Sequence, residues 1–390
     1  MQVPNGTSDL FETDVDQVRS WESSLFDELV GSRGLVVCGA GGLGRKTITG
    51  LHQVGSEVSG VVDNDPAQWG KLISGVRVYS PTEAVTKFGK SCTFIVAIWG
   101  AHSRDKLSDR KRQWETAGCE SVISFRTLFW KYPDVFLPHY ALDLPHKVYA
   151  ESDRINRVSA IFSDEYSRQE YREQLLWRLR LDYDGLPEPV SGPTYFPADL
   201  FKLSEEENLV DCGAFDGDTL REFLRVSRGK FAKVWAFEPD AENCTKLQTT
   251  IASIPSELRA RVKVFPLATG SSARKLRFQA GFAAASAVSD AGEIEVDCDA
   301  LDALLKDEMP TFIKMDIEGG EPDALRGAVD ILRRCRPILA VSVYHLQSHL
   351  WSIPETLSAL LDNYRFFLRP HDREGWDLVL YAVPAERLLR

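Results

Sequence analysis

At 390 residues, with a net charge of −11 and a pI near 5.3, the chain is long enough for two domains and too acidic for general affinity to nucleic acid or anionic membranes. It is 44% hydrophobic and 26% charged, an ordinary balance for a soluble globular protein. No apolar run approaches membrane-spanning length, and the seven cysteines are scattered without a C-x-x-C pair, so the expectation is a reduced, cytoplasmic protein with neither a disulfide framework nor structural zinc.

Residues 14–29 carry apolar positions at helical spacing, which predicts a helix within an N-terminal segment of residues 1–30. A short apolar strand at 34–38 then opens into Gly39-Ala-Gly41-Gly42-Leu-Gly44, and residues 45–54 read as a helix. A second strand, 58–62, ends in Asp63. Strand, glycine loop, helix, strand and terminal acid form the setting a dinucleotide fingerprint requires. Gly39, Gly41, Gly42 and Gly44 would let a helix N-terminus approach phosphates, and Asp63 would bind ribose hydroxyls. With strands at 93–98 and 121–124, residues 31–135 read as a Rossmann-like nucleotide-binding domain. The alternative is a nucleotide fold that has lost its ligand and serves as a docking module, because no second set of chemistry-bearing residues accompanies the loop. This stretch also resembles the N-terminal nucleotide-sugar-binding domains of sugar-modifying enzymes, with their G-A-G-G-x-G loop.

Three prolines between positions 133 and 145 mark a boundary, after which residues 136–200 read as a helical connector. The pattern over 150–182 is helical, and its arginines are expected on a solvated face.

The second domain, 201–390, repeats the strand–glycine loop–helix logic in Asp211-Cys-Gly213-Ala-Phe215-Asp-Gly217-Asp218-Thr219. The next strand, 233–237, finishes in Glu238-Pro239, and Glu238 follows Asp211 by 27 residues. Two acids around a glycine loop suit a ligand with an ammonium group and a ribose but no phosphates, features that S-adenosylmethionine has. A third strand, 262–265, leads into a turn containing Ala268. Short accessory strands at 275–278 and 294–296 flank a small-residue loop, 281–289, and a short helix is expected at 301–305. Strand 312–315 runs into Asp316-Ile-Glu318-Gly-Gly-Glu321. Asp316 and Glu318, two apart, leave a strand on the same face, at the carboxyl end where open α/β sheets bind ligands. Strand 337–345 ends in Tyr344 and His345, and runs 364–371 and 376–383 form a hairpin, an antiparallel edge on a parallel sheet.

Residues 195–383 resemble the FkbM-type S-adenosylmethionine-dependent methyltransferases. The resemblance rests on the 210–219 motif, Phe237-Glu-Pro-Asp240, Leu301-Asp302 and above all Ile313-Lys-Met-Asp-Ile-Glu-Gly-Gly-Glu321. Ser163-Asp-Glu-Tyr-Ser167 and Tyr195-Phe196-Pro197 look like segments that precede the domain in some members. The resemblance implies a class I methyltransferase fold, a mostly parallel seven-stranded sheet with a terminal antiparallel hairpin, so that the whole chain is α/β with two Rossmann-like domains. It implies methyl transfer to a hydroxyl of a sugar, glycan or secondary metabolite. The expected cofactor contacts are Asp211, Gly213, Phe215, Gly217, Asp218, Thr219, Glu238, Pro239, Ala268 and Asp316.

The sulfonium already activates the methyl group, so the protein must mainly align the acceptor oxygen, and general-base help could add about 10²–10⁴-fold. His345 is the first candidate base, with Asp316 to orient it or to contact the cofactor. Asp316, Glu318, Glu321 and His345 could instead gather Mg²⁺ or a similar ion. The simpler account of Glu318 and Glu321 is that they cap the following helix, and His349 and His371 are expected at the surface. A nicotinamide-dependent sugar oxidoreductase run by the Gly39–Gly44 loop is disfavoured, since no Tyr-x-x-x-Lys set follows it. A non-enzymatic nucleotide-binding or assembly module has no need for both cofactor acids and a reactive cluster. The expected partners are the hydroxyl acceptor and, in the first domain, a nucleotide or nucleotide-sugar; homo-oligomerisation is left open.

Overall fold

The computed structural model describes residues 7–181, 183–278 and 294–389; the small-residue loop at 281–289 lies outside the described residues. The chain divides into two compact units: residues 1–156, 172–188 and 372–376 in the first, and 157–171, 189–371 and 377–390 in the second. It is a mixed α/β protein with parallel-dominated sheets. Among the described residues no helix is long and apolar enough to cross a membrane. All seven cysteines are free thiols, six of them buried.

The first unit carries a six-stranded sheet. Its strands are β1 (Gly34–Cys38), β2 (Gly60–Val62), β3 (Leu72–Ile73), β4 (Val76–Tyr79), β5 (Cys92–Val96) and β6 (Ser121–Ser124), in the order β3-β4-β2-β1-β5-β6. All pairings are parallel except β3 with β4. That hairpin was not anticipated, although Ser74-Gly75 between apolar-alternating residues is a two-residue turn signal. Both residues adopt left-handed backbone, φ 47° and 83°, as a tight hairpin turn requires. Helix Gly42–Gln53 begins three residues earlier than the pattern suggested, directly on the glycine loop.

The second unit carries a seven-stranded sheet. Its strands are β7 (Asn208–Cys212), β8 (Lys233–Phe237), β9 (Val262–Phe265), then, after the accessory strands, β13 (Phe312–Met315), β14 (Ile338–Ser342), β15 (Tyr364–Pro370) and β16 (Leu378–Pro384). The order is β15-β16-β14-β13-β7-β8-β9, parallel except for β16, which pairs antiparallel with both β14 and β15. The accessory strands β10 (Ala268–Thr269), β11 (Arg274–Phe278) and β12 (Ile294–Asp299) make a separate three-stranded sheet. The central strands read as continuous apolar runs because helices cover both faces of a parallel sheet. The core beneath them includes Phe196, Leu209, Phe223, Phe312, Ile338 and Tyr381, all buried.

The segment 163–167 covers the edge strand β15. Ser163 N–H donates to the Phe366 carbonyl (2.8 Å), the Leu368 amide donates to Ser167 Oγ (2.9 Å), and Arg369 reaches Asp164 (2.6 Å) and Asp199 (3.0 Å). These bonds occupy polar groups that an open sheet edge would leave available for pairing with another chain. Residues 150–182 form two helices, Ser152–Ser159 and Glu165–Arg180. Their arginines are not all solvated as expected. Arg178 is buried and one guanidinium nitrogen donates to the Gln174 carbonyl (2.6 Å) and side-chain oxygen (2.7 Å), partners that the helix itself supplies.

Candidate active site

In both units the chain order of the strands reverses at the middle of the sheet, between β1 and β5 in the first and between β7 and β13 in the second. The crevice outside the carboxyl ends of the strands at such a reversal is where open α/β sheets bind ligands.

In the second unit, β7 runs into the loop 213–217. Gly213 (φ 81°), Phe215 (φ 47°) and Gly217 (φ 87°) all take left-handed backbone, which folds the loop tightly before helix Asp218–Ser227. A Cβ on Gly213 would sit 1.9 Å from the Asp316 carbonyl oxygen, so the loop lies directly against the end of β13. The acid ending β8 holds the loop from the other side. Glu238 accepts from the Phe215 amide (2.9 Å) through one oxygen and from the Asp240 amide (2.9 Å) through the other. Thr219 lies buried in the first turn of the helix, and Asp218 is exposed beside it. Pro239 follows Glu238, while Ala268 is on β10, in register with Cys298 of the three-stranded sheet.

Asp211 is fully buried and faces a residue not anticipated as part of the site. Lys314, its register partner across β7 and β13, places its ammonium 3.1 Å from Asp211 Oδ1 and donates to the Gly213 carbonyl (2.6 Å). Burial raises the Asp211 pKa to about 6 against the pull of Lys314. Burial also works to lower the lysine's pKa, but the charges of Asp211 and Asp316 raise it overall. A lysine inside an otherwise apolar strand was the available signal: a buried ammonium requires an anionic neighbour, and Asp211 is the acid on the adjoining strand.

Beyond β13 the carboxylates gather around His345, which follows β14. Asp316 Oδ1 is 3.1 Å from His345 Nε2, Glu318 Oε2 is 3.8 Å from the same nitrogen, and Glu321 Oε1 is 2.8 Å from Nδ1. Tyr195 donates its hydroxyl to the other Asp316 oxygen (2.6 Å). Burial acts to lower the His345 pKa, but Glu321 and Asp316 together hold it well above the usual range. Burial likewise pushes Asp316 up, and the His345 ring with Lys314 and Tyr195 brings it below the ordinary carboxylate range. Glu318 is pushed up by burial, and by the charges of Asp316 and Glu321 against the pull of His345, to about 8.

Glu321 does not cap the following helix. Its Oε1 accepts from the Ile317 amide (2.9 Å), closing the turn that precedes the helix, and the side chain is fully buried. His349 is not at the surface either: it is buried with Nδ1 3.4 Å from Glu321 Oε2, and burial lowers its pKa to about 4. His371 is partly buried, 2.7 Å from the Tyr381 hydroxyl.

The first unit repeats the anchoring arrangement. Asp63 accepts from the Ala40 amide (2.6 Å) and the Asp65 amide (2.8 Å), as Glu238 does in its own unit. A Cβ on Gly44 would lie 1.9 Å from the Gly39 carbonyl oxygen, so the loop folds tightly onto its helix, whereas Gly41 and Gly42 face open space. Helix Gly42–Gln53 has no side-chain cap and no acidic residue in its first turn.

Residues 211–369 match the family model described as the methyltransferase FkbM domain. This stretch is similar to FkbM methyltransferase domains. The solved structure of methyltransferase FkbM from Methylobacillus flagellatus is similar over 96% of this chain and 97% of its own, with 24% identity and a TM-score of 0.75, and so shares the fold. A precorrin-6y C5,15-methyltransferase from Geobacter metallireducens (12% identity, 47% of this chain, 83% of that one, TM-score 0.29) and a Rex-family repressor (20% identity, 24% of this chain, 45% of that one, TM-score 0.20) are too distant to carry an argument. No curated protein matches the chain. The matched stretch contains Asp211, the 213–217 loop, Glu238, Lys314, Asp316 and His345.

Proposed function

We propose that the chain is an S-adenosylmethionine-dependent O-methyltransferase of class I fold, acting on a hydroxyl of a sugar, glycan or secondary metabolite. The observation that carries this reading is the loop 213–217, pinned between Glu238 and the end of β13 at the reversal of the sheet. The loop and helix Asp218–Ser227 would receive the methionine end of the cofactor. Glu238, with its amide bonds already fixing its orientation, would offer its remaining lone pairs to the ribose hydroxyls. Lys314, paired with Asp211, would act one layer below, holding the Gly213 carbonyl in place. Asp316, Glu318 and His345 form the acceptor end. There an acceptor hydroxyl would give up its proton to a carboxylate of the cluster as its oxygen bonds to the methyl carbon and the carbon–sulfur pair goes to sulfur, leaving S-adenosylhomocysteine.

Both nitrogens of His345 face carboxylates, so this residue works as part of the acid cluster and not as an isolated base. Replacing Glu238 with glutamine tests the cofactor side, because an amide –NH₂ would then face one of the two backbone N–H groups. Calorimetry should show S-adenosylhomocysteine affinity lowered by about 10–100-fold, as expected for lost hydrogen bonds to a charged group of about 1.5–3 kcal/mol. Unchanged affinity would remove Glu238 from the cofactor site.

For the first unit we propose a Rossmann-like domain that binds a nucleotide or the nucleotide part of an activated sugar. The uncapped helix start with open space at Gly41 and Gly42 supports it. Gly41 has ordinary extended backbone (φ −78°) and stands at the N-cap, so aspartate is tolerated there and caps the helix. Gly41→Asp in the full-length protein should keep its melting temperature and lose nucleoside-diphosphate binding, since the new carboxylate repels phosphate. A variant that binds nucleoside diphosphate as tightly as the parent would contradict a phosphate site on this loop.

A further inference from the structure

The ends of β13 and β14 hold buried polar atoms that make no hydrogen bond. Both ring nitrogens of His345, Oδ1 of Asp316 and Oε2 of Glu321 are enclosed and unsatisfied, although their neighbours lie within contact distance. The His345 side chain is 2% exposed, so water does not supply the missing partners from the bulk. Buried polar atoms normally find partners, and leaving one unsatisfied costs about 1–3 kcal/mol, more when charge is involved. Two of these atoms, His345 Nε2 and Asp316 Oδ1, stand 3.1 Å apart and are the pair that a bound ion would satisfy.

We infer that His345 Nε2, Asp316 Oδ1 and Glu318 Oε2 form a site for a divalent first-row cation. Asp316, Glu321 and His345 can each offer a ligand atom, and these atoms lie within 4.8 Å of one another. Two atoms bound to one ion at about 2.1 Å are roughly 3.0–3.5 Å apart, between octahedral and tetrahedral angles. The 3.1 Å between Asp316 Oδ1 and His345 Nε2 meets that requirement. Glu318 Oε2 stands 3.8 Å from Nε2 on a side chain 23% exposed, and the proposed site takes it as the third ligand.

The far side of each ligand already has a neighbour. Tyr195 holds Asp316 Oδ2, and Glu321 Oε1 stands 2.8 Å from His345 Nδ1, the carboxylate–histidine arrangement that fixes the ring and directs Nε2 at a metal. That division assigns Glu321 to positioning and Glu318 to binding. One imidazole nitrogen with two carboxylate oxygens suits Mn²⁺ or Zn²⁺ better than Ca²⁺.

This deepens the acceptor end of the proposed methyltransferase site and takes its chemistry from that reading. Held by these residues, the ion would lower the pKa of an acceptor hydroxyl, whose proton would pass to a carboxylate of the cluster as its oxygen bonds to the methyl carbon and the carbon–sulfur pair goes to sulfur.

The test is titration of EDTA-treated full-length protein with MnCl₂, followed by calorimetry and by electron paramagnetic resonance of bound Mn²⁺. S-adenosylhomocysteine affinity is measured on the same samples. One ion per chain is expected. Glu318→Gln, at the partly exposed position, should weaken it at least tenfold, and Glu321→Gln by about 10–100-fold, the usual cost of losing the group that orients a ligand. Absence of Mn²⁺ uptake by protein that binds S-adenosylhomocysteine would overturn the site, as would uptake unchanged in Glu318→Gln and Asp316→Asn. Failure to bind S-adenosylhomocysteine counts against the methyltransferase reading and not against the ion.

Discussion

Replacing Lys314 with methionine should destabilise the second unit by about 3–5 kcal/mol, the cost of leaving a buried carboxylate without its counter-charge. The side chains of Lys314 and Asp211 are 2% and 1% exposed, so neither charge is screened by water. Methionine matches the length of the lysine stem but offers nothing to Asp211 or to the Gly213 carbonyl. Pairing the change with Asp211→Leu should recover most of the stability, because a buried ion pair replaced by apolar residues of similar volume is often neutral or better. The double variant should nevertheless bind S-adenosylhomocysteine poorly, since the Gly213 carbonyl has lost its donor. Chemical denaturation of the parent, both single variants and the double variant separates the two effects. Equal stability of the Lys314→Met protein and the parent would mean that the pair contributes nothing.

Gly213→Ala is the second change expected to have a large effect. Two costs coincide: a left-handed backbone (φ 81°), unfavourable by about 1–2 kcal/mol for a residue with a Cβ, and a contact of 1.9 Å with the Asp316 carbonyl oxygen. The obstacle is backbone, so no side-chain rotation relieves it, and the loop must move away from β13. Gly319→Ala is the control. Gly319 is also left-handed (φ 104°), but the nearest atoms to its added Cβ are side-chain carbons of Leu346 at 3.9 and 4.0 Å. The expected result is a modest loss of stability at Gly319. At Gly213 a larger loss should come with S-adenosylhomocysteine affinity reduced beyond detection in calorimetry. Similar behaviour of the two variants would show that the close approach of loop and strand does not shape the pocket.

Much of this arrangement was legible in the sequence, for physical reasons. The strands at Asp211, before Glu238 and before Asp316 are short apolar runs punctuated by glycine or acid and form where the pattern placed them, whereas the strand expected over 337–345 stops at Ser342, three residues before His345. The hairpin at the C-terminal end followed from its spacing and alternation. Pairings across the sheet were not legible, because a single sequence carries no register. Asp211 was visible as an acid at a strand end, but Lys314 was hidden in an apolar strand until β7 and β13 stood side by side. Tyr195, in the segment before the first strand of its unit, reaches Asp316 across 121 positions, a closure that no local pattern encodes. His349 and Glu321 looked like surface and capping groups because local spacing does not reveal burial; the fold turns both inward on the same cluster.

The central claim is that the crevice at the reversal of the second sheet receives S-adenosylmethionine. Calorimetric titration of the full-length protein with S-adenosylhomocysteine, in parallel with the Glu238→Gln variant, tests it most directly. Micromolar binding at one site per chain, weakened in the variant, is the predicted result. No binding by the parent protein, or equal binding by both, would contradict the account.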